Sequence, residues 1–142
     1  MLYYARGSKT DAITPDEVRA ALKQVFDAMG PKKRVLAIPP DFTRYHSNAG
    51  FITNYLYHKL VGMGAEVDVM PALGTHVAVT REQWDDMFGD IPYEEFIPHD
   101  WRNDVVKLGE IPQAAVEEIS EGLWHHPVPV EVNRRLLDPS YD

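Results

Sequence analysis

Two short polar stretches carry the residue types that could do chemistry. Asp41, Thr43 and Arg44 form the first, and Gly74, Thr75 and His76 form the second. An arginine guanidinium holds a carboxylate or phosphate through a fixed fork of donors. A histidine carries a proton near neutral pH. Together with the Asp41 carboxylate, which could orient either partner, an Arg to hold a substrate carboxylate and a His to move a proton suit chemistry at the α-carbon of a small acid. Taken alone, Asp-x-Thr-Arg is equally well explained as a turn bearing a surface charge, and Gly-Thr-His alone is no stronger.

The other histidines rank lower. His46 lies in the first loop and could support the site or touch a ligand directly. His99 and Asp100 follow a short apolar run and could point toward the same crevice, although a structural role fits His99 somewhat better. His58 falls on a helix flank, in solvent. His125 and His126 resemble a metal pair, but neighbours on a strand point to opposite faces, which favours a structural reading. The sequence has no HExxH, no P-loop and no GxGxxG. Helix N-termini after the two loops could still accept an anion.

The elements that must position these residues repeat once. Val35–Ile38 is an apolar run with the look of a strand buried on both faces, and Pro39-Pro40 stops it. Val67–Met70 repeats the arrangement one strand–helix–strand unit later. The intervening helix is marked by Phe51, Ile52, Tyr55, Leu56, Leu60 and Met63. A crossover of this length predicts two parallel strands about 4.8 Å apart, joined right-handedly. Both polar loops then leave the C-terminal ends of their strands, where open α/β sheets bind ligands.

Before this core, Thr14-Pro15-Asp16-Glu17 predicts a helix start, and a stripe from Val18 to Met29 leads to a stop at Gly30. Thr80 with Gln83 predicts a capping box for a third helix ending at Gly89. Leu2–Ala5 reads as an edge strand. Beyond residue 90, Phe96–Asp100, Val105–Gly109, Ala115–Ile119 and Val128–Val132 read as short strands, and Asn133–Leu137 as the beginning of a helix. The expected fold is one α/β domain over residues 1–142, a parallel sheet with flanking helices of Rossmann-like type.

Bulk properties bound the function. A chain of 142 residues can bury roughly 68–70% of its unfolded surface. A net charge of −8 argues against a nucleic-acid partner. With no cysteine, disulfides, thiolate metal sites and cysteine nucleophiles are excluded. No apolar run reaches the roughly eighteen residues of a membrane span, and Met1–Arg6 lacks a signal-like apolar segment. The expectation is a soluble cytoplasmic protein with no membrane partner.

Asp41-Phe42-Thr43-Arg44, followed one crossover later by Gly74-Thr75-His76, resembles the N-terminal domain of the lactate racemase family. The likeness continues through Ile97-Pro98-His99-Asp100 and the run Pro127–Arg134, covering most of residues 34–137. The resemblance implies a two-domain α/β protein that racemises or epimerises 2-hydroxy acids by hydride transfer to a nickel pincer nucleotide. It implies His76 as general acid/base, Arg44 and Asp41 as substrate-binding, and Thr43, Gly74 and Thr75 as cofactor-contacting positions. Val77 stands where many members have Arg, and Tyr45-His46-Ser47 where many have Pro, marking a divergent branch. The lysine that attaches the cofactor, a second catalytic histidine and a nickel-binding histidine belong to a segment expected after Asp142. The isolated chain is therefore expected neither to racemise nor to retain nickel, and to need a C-terminal domain or partner chain. An exposed apolar face at that junction would favour a homodimer. Two other readings stay open: a small-anion-binding or regulatory module using Asp41, Arg44 and His76, and a metal-dependent hydrolase built on Asp41, His76, His99 and Asp100.

Overall fold

The computed structural model describes residues 2–142, which separate into two compact units. The first comprises Met1–Ala72, Val79–Ile97 and Ser140–Asp142; the second comprises Leu73–Ala78 and Pro98–Pro139. No helix among the described residues is long and apolar enough to cross a membrane.

In the first unit, α1 (Pro15–Met29) begins as the sequence predicts. Thr14 accepts a hydrogen bond from the Glu17 amide at 3.3 Å, and Glu17 accepts one from the Thr14 amide at 2.9 Å. This reciprocal pair satisfies two donors that a helix start leaves open. Gly30, at φ 75°, terminates the helix in a conformation costly for other residues. The Thr14 amide, helped by Arg6 at 2.7 Å, lowers the Glu17 carboxyl from 4.5 to about 2. Because the folded value is the lower one, the charged cap stabilises above about pH 4.5, and its contribution fades as pH falls toward about 2. Glu17→Gln is expected to lower the urea midpoint at neutral pH and to converge with the parent near pH 2. Parallel titrations of the two proteins would reveal a constant difference if the cap carried no charge effect.

β1 (Arg34–Ala37) and β2 (Glu66–Val69) pair in parallel, from Arg34 opposite Glu66 to Ala37 opposite Val69. The pairing continues past both strands through a bridge from Pro40 to Ala72, with the Ala72 amide donating to Pro39 at 2.8 Å. This is the expected parallel pair, joined by α2 (Ala49–Gly62). Burial differs from expectation. Val67 and Val69 on β2 are buried, whereas β1 is half-buried throughout. Among the described residues, β1 has a strand partner on one side only, so it is not enclosed.

On the far side of β2, the Ile97 amide donates to Val69 at 2.9 Å, and Phe96 makes one parallel bridge to Val69. The strand expected over Phe96–Asp100 is thus reduced to a single rung. α3 (Arg81–Phe88) opens with the predicted box between Thr80 and Gln83 and ends at Gly89, φ 67°. Trp84 and Phe88 from α3, with Ile91, Val69 and Pro71, form the deepest core. Trp84 is fully buried, and its ring NH donates to the Ile91 carbonyl at 2.7 Å. α2 packs against α3 through Gly50, where an added Cβ would lie 2.0 Å from the Met87 carbonyl oxygen.

The second unit is antiparallel. β3 (Val105–Ile111) pairs with β4 (Val128–Asn133), Val105 opposite Asn133 and Ile111 opposite Val128, with a bulge between Lys107 and Gly109. These two strands match the predicted runs. The strand expected at Ala115–Ile119 is instead α4 (Gln113–Ile119). Alanine and glutamate favour helix over strand, and Gln113 bonds Glu117 one turn on at 2.8 Å. Glu121 and Gly122, both at positive φ, close that segment. Asn133–Leu137 does turn helically, but as a short 3₁₀ segment over Arg134–Leu137. Leu2–Ala5 is not a strand: it is exposed and, among the described residues, pairs with no other segment. An extended run without a partner gains none of the hydrogen bonds that define a sheet.

Candidate functional site

The loop after β1 is organised by Asp41. Its side chain is 5% exposed and accepts from the Thr43 amide at 3.1 Å and the Thr43 hydroxyl at 2.5 Å. The Asp41 carbonyl accepts from the Arg44 amide at 2.9 Å. Asp41 thereby caps a 3₁₀ segment, Phe42–Ser47, as a short acceptor caps any helix start. Arg44 and His46 sit on this segment with exposed side chains. Phe42, Tyr45 and His46 line up ring against ring, 5.6 and 5.8 Å between neighbouring centroids. Asn48, at φ 60°, ends the 3₁₀ turn and begins α2. A cavity of about 460 Å³ opens beside the loop between Tyr45, Asn48, Phe51, Asp86 and Asp90, and neither Asp41 nor Arg44 lines it.

Gly74, Thr75 and His76 belong to the second unit. Buried Leu73 anchors their turn, and its carbonyl accepts from the His76 amide at 2.9 Å. Gly74 adopts φ 57°, the left-handed conformation that glycine accepts without strain. His76 and Thr75 are exposed.

His99 is fixed by a residue that sequence reading missed. Buried Asn133 accepts the Arg135 amide on its side-chain oxygen at 2.9 Å, so its amide nitrogen is the donor to His99 Nδ1, also at 2.9 Å. Asn133 was recoverable as a polar residue ending an alternating apolar strand run, but nothing in the run names its partner. Asp100 accepts from the Arg102 and Asn103 amides and from the Asn103 side chain, between 2.7 and 3.1 Å. These donors, the Asn103 side chain first, lower its pKa. Its recorded contacts serve the turn that leads into β3. Of the remaining histidines, His125 meets Glu117 at 3.1 Å and His126 packs edge-on to Trp124; both are exposed and lie before β4 rather than on a strand, so the opposite-face argument does not apply to them. His58 meets Asp90 at 2.7 Å on the exposed flank of α2. Among the described residues, no group of three histidine, aspartate or glutamate side chains could hold a metal ion.

Residues 11–124 match the family described as the lactate racemase N-terminal domain. The chain belongs to that family. The matched span contains both polar loops and the parallel pair of the lactate racemase N-terminal domain, and it stops before β4. A crystal structure of a Thermotoga maritima protein is similar over 91% of this chain, at 27% identity and a TM-score of 0.79. The lactate racemase apoprotein from Thermoanaerobacterium thermosaccharolyticum is similar in fold over 87% of it, at 21% identity and a TM-score of 0.58. This chain covers 32% and 29% of those two proteins, so it spans about a third of their length. No curated protein matches it. β4 and Asn133 lie outside residues 11–124, whereas His99 lies within them.

Proposed function

We propose that this chain is the N-terminal portion of a 2-hydroxyacid racemase or epimerase that works, when complete, by hydride transfer with a nickel pincer nucleotide. The observation that carries the proposal is membership in the lactate racemase N-terminal domain family over residues 11–124, a span that contains Asp41, Thr43, Arg44 and His76. Among the described residues, no group of three histidine, aspartate or glutamate side chains could hold a metal ion by itself. Attachment of the cofactor and ligation of its nickel are assigned in this proposal to the remainder of the complete protein. The same lack of a ligand cluster leaves the metal-dependent hydrolase reading without support.

In this proposal the exposed Arg44 guanidinium holds the substrate carboxylate through paired donors. Asp41 keeps the Arg44 loop in shape through its bonds to Thr43 and the Arg44 amide. His76 takes or returns the proton of the substrate hydroxyl, a task within reach of an imidazole near neutral pH. Thr43, Gly74 and Thr75 approach the cofactor.

The test compares two preparations in a chiral assay of 2-hydroxy acids with the nickel nucleotide supplied. The purified 142-residue chain is expected to interconvert none of them, and turnover by it alone would defeat the proposal. In the complete protein, His76→Gln is expected to lower kcat by roughly 10²–10⁴-fold, the usual contribution of a positioned proton carrier. Arg44→Ala is expected to weaken hydroxy-acid binding in calorimetry. Binding abolished by Arg44→Ala in a complete protein that never turns over would instead indicate an anion-binding module.

A further inference from the structure

α3 has two unlike faces. Trp84, Met87 and Phe88 are buried, which leaves Glu82 and Asp86, one turn apart, exposed on the other side. Two cavities of the first unit reach this side. The cavity of about 460 Å³ described above lies against Asp86, Asp90, Tyr45 and Phe51. A second, of about 400 Å³, is lined by Phe42, Glu82, Gln83 and Asp86. Asp86 lines both, so the two adjoin there.

The acidic wall is not neutralised from within. Among the described residues, neither Glu82 nor Asp86 makes a hydrogen bond or ion pair. Arg81, on the same helix, is held by Asp85 at 3.1 Å, and Arg19 by Asp16 at 2.8 Å. The remaining wall is aromatic. Phe42 and Tyr45 come from the 3₁₀ segment and Phe51 from α2, where its ring already draws the Arg19 guanidinium to 4.8 Å from the centroid. Rings attract a cationic head through their quadrupole and cover its carbon chain, while carboxylates accept from its N–H groups. That pairing selects an organic cation. The acids are strung along the wall rather than gathered, since no three of them could hold one metal ion among the described residues. Residues four apart on a helix stand about 5–6 Å from one another, which is the separation of amine nitrogens joined by three or four methylenes. Each cavity falls within the usual size of a small-molecule site.

We propose that the groove between α3 and the Phe42–Ser47 segment binds a linear di- or polyamine, its ammonium groups at Glu82 and Asp86 and its methylenes along Phe42, Tyr45 and Phe51. Asp90, which accepts from Asn54 at 2.8 Å and meets His58 at 2.7 Å, marks the far end of the groove. The site is separate from the reaction proposed above, whose substrate is an anion. It shares the 3₁₀ segment with that reaction, because a bound amine would hold Phe42 and Tyr45 on either side of Arg44 in the chain. The inference stands whether or not the chain takes part in racemisation.

The experiment is calorimetry of the protein with spermidine, n-butylamine and Mg²⁺. Salt at about 0.15 M screens diffuse attraction to the net charge of −8. Spermidine is expected to bind at one site, about tenfold or more tightly than n-butylamine, because its linked ammonium groups engage together. Asp86→Asn should weaken it about tenfold, and Glu82→Gln, one turn away, severalfold. Tyr45→Ala should weaken it about two- to fivefold. Glu118→Gln removes an exposed acid of the second unit and should change nothing. Because Asp86 is exposed and unpaired, Asp86→Asn should keep the parent urea midpoint. Amide chemical shifts on adding spermidine should centre on residues 42–51 and 82–90. Equal affinity for n-butylamine, displacement by an equal concentration of Mg²⁺, or binding that survives both Asp86→Asn and Glu82→Gln overturns the proposal. Shifts centred on any other part of the chain do the same.

Discussion

Gly50→Ala is expected to cost about 3 kcal/mol or more, enough to unfold much of the first unit at ordinary temperature. The added Cβ would lie 2.0 Å from the Met87 carbonyl oxygen and 3.0 Å from its carbon. Real contacts do not approach so closely, and the obstacle is backbone rather than a side chain that can swing aside. To admit the methyl group, α3 must move off α2, which uncovers Trp84 and Phe88. Gly62→Ala supplies the comparison. That glycine lies on the same helix with nothing within 4 Å of an added Cβ. There the substitution should be neutral or stabilising by up to about 1 kcal/mol, because alanine loses less backbone entropy in a helix. Urea titrations of both variants would refute the packing account if their midpoints moved together.

Trp84→Ala is expected to cost about 3–5 kcal/mol. Two losses combine at this residue. The first is a fully buried ring in contact with Phe88, Tyr93 and Phe96 at 4.7, 5.8 and 5.3 Å between centroids. The second is the donor that satisfies the Ile91 carbonyl at 2.7 Å. A buried acceptor left without its partner costs about 1–3 kcal/mol by itself. Trp84→Phe keeps most of the ring and removes only the donor, so it should recover a large part of the stability. A midpoint for Trp84→Ala within about 1 kcal/mol of the parent would mean that this cluster closes over the cavity.

The elements that could be read directly from the sequence are those whose signals are local. Thr14-Pro15-Asp16-Glu17 and the Thr80–Gln83 box announced two helix starts; the Thr80 box is made, and Thr14 with Glu17 forms a second one. Val35–Ile38 and Val67–Met70, one crossover apart, announced the parallel pair. What escaped depends on neighbours that spacing does not name. The apolar residues of β1 look fully buried until its open edge is seen. Ala115–Ile119 was short enough for period to be ambiguous, and helix propensity decided it. At the candidate site, the polar composition of the Asp41 loop was legible, including its turn character. The partner of His99 was not, since Asn133 lies thirty-four residues away along the chain and meets it only after β3 and β4 have paired.

The three tryptophans divide between the two units. Trp84 is sealed in the first, in a dry aromatic cluster, whereas Trp101 and Trp124 lie in the second at 36% and 53% exposure. Trp101 also carries the Arg102 guanidinium 3.7 Å from its ring centroid. An indole in an apolar cage emits further to the blue than one in water, and a dissolved quencher reaches only the latter. Each unit thus carries its own optical label, and quencher-resolved emission follows the two through denaturation without any dye or added residue.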